Sequence, residues 1–551
     1  MTATFAGQFL AGLFFFVILA VLMSGYIVAW TLGGLSIIFA VLGWWFGVFD
    51  LDLLTSLATR FFGTITNPVL IAVPLFIFMG VVLERSKIAE VLLTTMGQLF
   101  GSVRGGLGLS VVIVGALLAA STGVVGATVV AMGLLALPAM MRAGYDPKLA
   151  TGVICAAGTL GQIVPPSTVL IFTADILQGA NAAAQLAMGN FAPDTVSVGD
   201  LFAGAFIPAV GLASIYGLWV MFRAWRDPSC APALVMTAEE RAGLGKRVVV
   251  ALAPPIMLIV AVLGSIIGGV ATPTESASVG SLGAILLAVV KQLAEHYLGS
   301  KGDAILQDRL FKFWIAFLAL IFGIAYFGGA FGLLTFLIIA IAVGLAPIMT
   351  NQRLRAQFVD MLYESSRGTM TITSMVFIIL LGATAFALVF TRLGGDVLVQ
   401  NFLSQMPGGQ TGAVMTVMAI MFVLGFFLDT FEIIFITVPI TAPIILMMGV
   451  DPILLGVLIG LVLQTSFLTP PFGFSLFYLR GVAPASITTG MIYRGVIAFV
   501  VMQLLVLAAV WSYPKLATGL PYYLFRSSVQ QQNGAPPPPA FDINQPETDG
   551  G

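Results

Sequence analysis

Four landmarks in this chain recur at one constant spacing. Pro138, Gly144, the pair Asp146-Pro147 and the double proline Pro165-Pro166 return as Pro443, Gly449, Asp451-Pro452 and Pro470-Pro471, each 305 positions later (443 less 138, 449 less 144, 451 less 146, 470 less 165). In both copies Asp then Pro is an N-cap followed by a first-turn proline, the signature of a helix start. Proline inside a helix removes a hydrogen bond and collides with the preceding turn, so each helix must break at its double proline. Both copies lie in strongly apolar sequence. The chain therefore contains two related helices interrupted at matching points.

Composition says what surrounds those breaks. With 551 residues, 59% hydrophobic, 9% charged and a mean hydropathy of +1.07, the sequence is far more apolar than a soluble globular protein. It reads as an all-α polytopic membrane protein with about twelve spanning segments. The net charge of −1 offers no basic field for nucleic acid. The N-terminal apolar run is followed closely by another and lacks a convincing cleavage site, so it reads as a retained span. Cys155 falls in an apolar helix and Cys230 in a polar loop, which suggests neither a disulfide framework nor a metal site.

Ordinary spans are expected at roughly 9–31, 33–49, 68–84, 200–222, 247–268, 275–296, 312–329, 332–349, 370–391 and 486–511, and the repeats occupy 105–178 and 412–480. Residues 86–103 and 351–368 mix charged and apolar positions and read as helices lying along the interface. Loop charge sets the orientation. Arg223, Arg226, Arg241, Lys246 and Arg247 crowd one loop, which is assigned inside, whereas residues 179–199 carry no Lys or Arg and are assigned outside. Both termini then lie outside, and the turn holding Arg142 and Lys148 is inside while its counterpart at Asp451 is outside. The two repeats are thus inverted, separated by an odd number of crossings.

Within each repeat, the segment before the broken helix must leave and re-enter the same side. Residues 105–122 and 124–142 form one re-entrant hairpin with Ser121, Thr122 and Gly123 near its tip, and residues 412–448 form the other, with Asp429, Thr430 and Glu432 near its tip. Paired broken helices are the sequence pointer to a transporter's binding site. A hairpin tip facing a break gathers helix N-termini, which favour anions, and C-terminal carbonyls, which favour cations.

The first such cluster sets Ser121, Thr122, Gly123 and Thr128 against Gly161, Gln162, Pro165, Pro166, Ser167 and Thr168; the second sets Asp429, Thr430 and Glu432 against Gln464, Thr465, Ser466, Thr469, Pro470, Pro471 and Gly473. Hydroxyls and carbonyls are hard oxygen ligands for an alkali cation or a polar substrate, and the small residues equally serve close helix packing. An intramembrane carboxylate is costly and marks function by default. Asp429 is either such a ligand or a helix cap. Thr272, Pro273 and Glu275 have the spacing of a capping box. His296 reads as a surface residue, and Arg392 and Arg480 read as snorkelling anchors. No phosphate loop, Cys/His cluster or nucleophile constellation is present, so an enzyme reading has nothing to stand on.

Four stretches carry a family resemblance: Gly-Gln-Ile-Val-Pro-Pro-Ser at 161–167, Ala-Thr-Pro-Thr-Glu-Ser-Ala at 271–277, Phe-Leu-Asp-Thr-Phe-Glu-Ile at 427–433 and Leu-Gln-Thr-Ser-Phe-Leu-Thr-Pro-Pro-Phe-Gly at 463–473. Through them the chain resembles the large membrane subunit (M subunit, DctM-like) of the tripartite ATP-independent periplasmic (TRAP) transporters, over roughly residues 8–295 and 355–512. The resemblance implies an elevator fold, in which a scaffold holds still while a domain carrying both hairpins moves. It also implies sodium-coupled uptake of an organic acid, with sodium and no organic cofactor. Expected partners are a small four-helix membrane subunit and a periplasmic substrate-binding protein, in a bacterial inner membrane. Carried onto this sequence, the sodium sites fall on Ser121, Gly123, Gly161, Pro165, Asp429, Thr430, Thr469 and Gly473, and the carboxylate substrate falls near Ser121, Thr122, Ser167, Thr168, Thr430 and Thr465.

In these terms the chain divides into N-terminal scaffold helices with an interfacial arm (1–104), a first transport repeat (105–199), scaffold helices (200–297), an inserted helix pair (298–352), a scaffold helix with an interfacial arm (353–411), a second transport repeat (412–485), a last helix (486–515) and a disordered, proline-rich tail (516–551). The inserted pair departs from the common architecture; being even in number, it leaves the inversion intact. Two other functions fit the same physics: a stand-alone elevator carrier for dicarboxylates or other anions without a binding protein, and an ion channel.

Overall fold

The two Asp-Pro pairs open matching helices in the computed structural model, which describes residues 2–123, 125–233, 244–298, 332 and 334–526. Asp146 accepts from the Lys148 amide at 3.0 Å and heads Pro147–Thr159. Asp451 accepts from the Ile453 and Leu454 amides at 2.8 and 3.1 Å and heads Pro452–Leu468. Just ahead of them, Gly144 and Gly449 take φ of +80° and +91°, a backbone region that side chains disfavour, so the sharp entry into each helix requires glycine. After a 3-10 turn at Leu160–Gln162, the first helix resumes as Thr168–Ala187; the second resumes as Phe474–Val482. Pro165-Pro166 and Pro470-Pro471 are both cis.

Each broken helix is preceded by a hairpin. Gly106–Thr122 and Val125–Arg142 turn at Gly123, and Gly409–Leu424 and Thr430–Met447 turn through residues 425–429. The hairpins interlock across the repeats: Val125–Arg142 packs on Phe474–Val482, and Thr430–Met447 packs on Thr168–Ala187. At the latter contact the Phe172 ring stands edge-on to Phe431 and Phe435, with centroids 5.5 and 5.0 Å away. Neither repeat can bury its hairpin without the other.

Val198–Arg226 and Thr489–Ser512, which follow the two broken helices, pack directly against them. The crossing of Thr489–Ser512 with Pro147–Thr159 brings backbones together, since a Cβ on Gly152 would stand 2.3 Å from the Gly495 carbonyl oxygen. Outside this central group, Pro68–Arg85 packs on Pro273–Leu298, and Gln352–Arg392 packs on Val28–Trp45 and Pro68–Arg85. Thr2–Met23 joins this layer at Val28–Trp45, and Leu244–Ile267 joins it at Pro273–Leu298. Among the described residues, ten helices are long and apolar enough to cross a membrane. The Thr272–Glu275 capping box forms: the Thr272 amide donates to Glu275 at 2.8 Å, and the Glu275 amide to Thr272 at 3.3 Å.

Two expectations change. Residues 351–368 are not a separate interfacial helix; they are the first half of one 41-residue helix, Gln352–Arg392. No proline interrupts that stretch, so the change from mixed to apolar composition near residue 370 alters its surroundings without ending the helix. Such a helix is about 60 Å long, about twice a hydrocarbon core. The tail begins later than 516, because Lys515–Pro521 is helical and buries Ala517 against Val198–Arg226. Of the inserted pair, 312–329 lies outside the described residues, whereas Leu334–Thr350 is helical and seats Leu337 against Val279 and Leu286.

Candidate functional site at the paired helix breaks

The first break is buried and hydrogen-bonded to both hairpins. Thr168, at the start of the resumed helix, donates through Oγ1 to the Gly123 carbonyl at 2.9 Å, which fixes the first hairpin's tip on the break. Gly123 has a φ of +61°, and a Cβ there would stand 3.1 Å from the Thr168 amide nitrogen, so the approach requires glycine. Gln162, in the 3-10 turn, donates through Nε2 to Thr430 Oγ1 at 2.8 Å, reaching the second hairpin's tip from the first repeat. Ser167 Oγ donates back to the Gln162 carbonyl at 3.1 Å. Gly161, Gln162, Pro165, Ser167, Thr168 and Thr430 are all buried.

The second break is more open. Pro471 and Phe472 are exposed and Thr469 is half-buried, whereas Gln464, Thr465 and Ser466 are fully enclosed. Thr465 donates to its own helix at Leu461 O (2.7 Å), and Thr469 donates to Thr465 O (2.6 Å), so these hydroxyls satisfy the helix end and do not reach the first break. The Gly473 amide closes the turn on Thr469 O at 3.0 Å. Tyr493 reaches into the same break, donating to Pro471 O at 2.8 Å.

Asp429 forms the cap: it accepts from the Thr430 amide at 2.8 Å, and its own amide donates to Glu432 at 3.1 Å, a capping box at the start of Thr430–Met447. Glu432, at the third position of that helix, completes the cap. A carboxylate has about four acceptor positions, so capping does not exhaust Asp429. The predicted residues thus converge as two linked sets, Gly123 with Thr168 and Gln162 with Thr430. The side chains of Ser121 and Thr122 lie outside the described residues.

A comparison of the sequence with protein families identifies the chain's relatives. The model of the Tripartite ATP-independent periplasmic transporter, DctM component, matches residues 15–303 and 294–516. The chain belongs to the DctM family. It is 26% identical over 540 residues to the C4-dicarboxylate TRAP transporter large permease protein DctM of Vibrio cholerae, spanning 94% of this chain and 98% of that protein. The corresponding Pseudomonas aeruginosa protein is 26% identical, over 87% of this chain and 92% of its own length. The Isethionate TRAP transporter permease protein DctMQ of Oleidesulfovibrio alaskensis is 25% identical, over 80% of this chain and 56% of its own length. Among solved structures, the Alcanivorax borkumensis YdaH transporter is similar at 16% identity and a TM-score of 0.49, covering 85% of this chain and 91% of that one.

Two groups in this DctM-family site were missed in the sequence. Tyr478, on Phe474–Val482, sets its ring against the start of the first hairpin's second arm, 3.1 Å from where a Cβ on Gly126 would be. A tyrosine four residues into a half-helix gives no period or motif to mark it. Asp175, seven residues past Thr168, accepts from Asn67 Nδ2 at 2.7 Å and links the resumed first helix to Pro68–Arg85. That carboxylate was visible as a lone acid in an apolar run. Among the described residues no three His, Cys, Asp or Glu side chains come together.

Proposed function

We propose that this large permease subunit takes up an organic acid with sodium by an elevator mechanism, receiving its substrate from a periplasmic binding protein and working with a small four-helix membrane subunit. The observation that carries the reading is the pair of hydrogen bonds, Thr168 to Gly123 and Gln162 to Thr430, that joins the first break to both hairpin tips. A cation bound among those carbonyls and hydroxyls would order both tips together, which is the physical content of coupling.

In this reading sodium occupies the breaks near Ser121, Gly123, Gly161 and Pro165, and near Asp429, Thr430, Thr469 and Gly473. The carboxylate lies between them, near Ser121, Thr122, Ser167, Thr168, Thr430 and Thr465. Helix N-termini at Thr168 and Thr430 supply amide dipoles suited to its negative charge. The interlocked hairpins and the helices packed on them form the unit that moves: Thr489–Ser512, and also Val198–Arg226, which the sequence division grouped with the scaffold; the outer layer around Pro68–Arg85 and Gln352–Arg392 stays fixed. The chain lies in a bacterial inner membrane with both termini on the periplasmic side, as the loop charges indicate.

The relatives' names span C4-dicarboxylate, isethionate, ectoine and sialic acid, which supports an organic-acid class. Uptake of labelled organic acids by the reconstituted three-part system tests the proposal. A sodium gradient should drive accumulation, and omitting the binding protein should abolish it. Equal uptake with and without the gradient would overturn sodium coupling, and full uptake without the binding protein would favour the stand-alone carrier.

A further inference from the structure

Beside the breaks, four polar side chains from four helices meet in the apolar interior. Thr159 ends the first half of one broken helix, and Gln464 lies in the other; the two are equivalent positions of the repeats, 305 apart (464 less 159). Tyr216 and Gln503 come from Val198–Arg226 and Thr489–Ser512, the helices that follow the two broken ones. The quartet therefore draws on both repeats and on the helix that follows each. All four residues are at most 1% exposed.

Their hydrogen bonding is incomplete. Gln503 Nε2 makes a long contact to Thr159 Oγ1 at 3.5 Å, while Thr159 already donates to Ala156 O at 2.9 Å. The Tyr216 hydroxyl is within interaction range of the Gln464 and Gln503 amides, yet it has hydrogen-bond geometry to neither. Gln464 Oε1 and Nε2 and Gln503 Oε1 are likewise buried without a partner. Leaving such groups unsatisfied in an apolar interior is costly, and buried waters with two to four polar partners are the usual remedy.

We propose that Tyr216, Gln464 and Gln503 hold one water molecule between the repeats, with Thr159 orienting Gln503. Water fits these groups because it donates to the two amide oxygens and accepts from the phenol, whereas a sodium ion would exchange its hydration shell for a few neutral oxygens. The water joins the two halves by satisfying both at once. It occupies none of the sodium or carboxylate positions proposed above, although Gln464 adjoins Thr465, and it does not depend on the uptake reading.

A cryo-EM reconstruction of the complete permease, at a resolution that shows other buried waters, tests this directly. The expected result is one density at about 2.7–3.2 Å from the Tyr216 hydroxyl and both amide oxygens, equal in sodium and in sodium-free N-methylglucamine buffer. Direct amide-to-phenol bonds with no density between them would overturn the proposal, as would a density that vanishes without sodium. A second readout is thermal stability. Gln464→Leu and Gln503→Leu should each lower the unfolding midpoint, and the triple variant with Tyr216→Phe should lose less than the three single losses combined, because an apolar pocket needs no water. Strictly additive losses would count against a shared water.

Discussion

Gln162 and Thr430, 268 residues apart in sequence, are joined by a buried 2.8 Å hydrogen bond that ties the first helix break to the second hairpin. The donor sits in a 3-10 turn made necessary by Pro165 and Pro166, and the acceptor is the first residue of the helix that Asp429 caps. Gln162→Met removes the donor at nearly unchanged volume. As a neutral hydrogen bond it should cost only about 0.5–1.5 kcal/mol of stability. If the bond couples the tips, half-saturating sodium should rise by about 5-fold or more. Unchanged sodium dependence in uptake assays, with normal expression, would remove it from the coupling path.

Asp429→Asn separates capping from ion binding. Asn caps a helix about as well as Asp, so the thermal midpoint should change little while sodium-dependent uptake falls by about 10-fold or more, on the scale of a lost charge-assisted contact of about 1.5–3 kcal/mol. A variant of unchanged thermal midpoint that also retains its sodium response would assign Asp429 to capping alone.

Gly425, at the turn of the second hairpin, has no room for a methyl group: its Cβ would stand 2.0 Å from Ser466 Oγ and 2.7 Å from Ser466 Cβ. Gly425→Ala should destabilise the protein by about 1–3 kcal/mol through overpacking. Adding Ser466→Gly opens the space and should restore part of that loss in a thermal-shift measurement. Equal destabilisation with and without Ser466→Gly would show that the tip does not rest on this contact.

Asn67 has two roles that one substitution can divide. Its Oδ1 accepts from the Val69 amide at 2.9 Å, capping Pro68–Arg85, and its Nδ2 donates to Asp175 at 2.7 Å. Asn67→Asp keeps the cap and replaces the donor with a second carboxylate, so it should impair uptake and destabilise more at high pH, where both acids ionise, than at low pH. Asn67→Ala loses the cap as well and should cost about 1 kcal/mol at every pH. Identical pH profiles for the two variants would argue that Asp175 is not engaged across this contact.

The spacing of Asp146-Pro147, Pro165-Pro166 and their counterparts by itself determined that the chain holds two broken helices, because proline's missing amide and fixed ring act locally wherever the chain goes. Apolar run length likewise marked most spans, and Asp429 was legible as a carboxylate with few reasons to be in a membrane. What only the tertiary structure decided was pairing. The exchange of hairpins between repeats, the bond from Gln162 to Thr430, the packing of Tyr478 on Gly126 and the meeting of Tyr216, Gln464 and Gln503 all join residues distant in sequence. Such contacts depend on which faces of uniformly apolar helices meet, and in a membrane-spanning helix hydrophobicity carries little record of that, since the lipid-facing and protein-facing sides are similarly apolar.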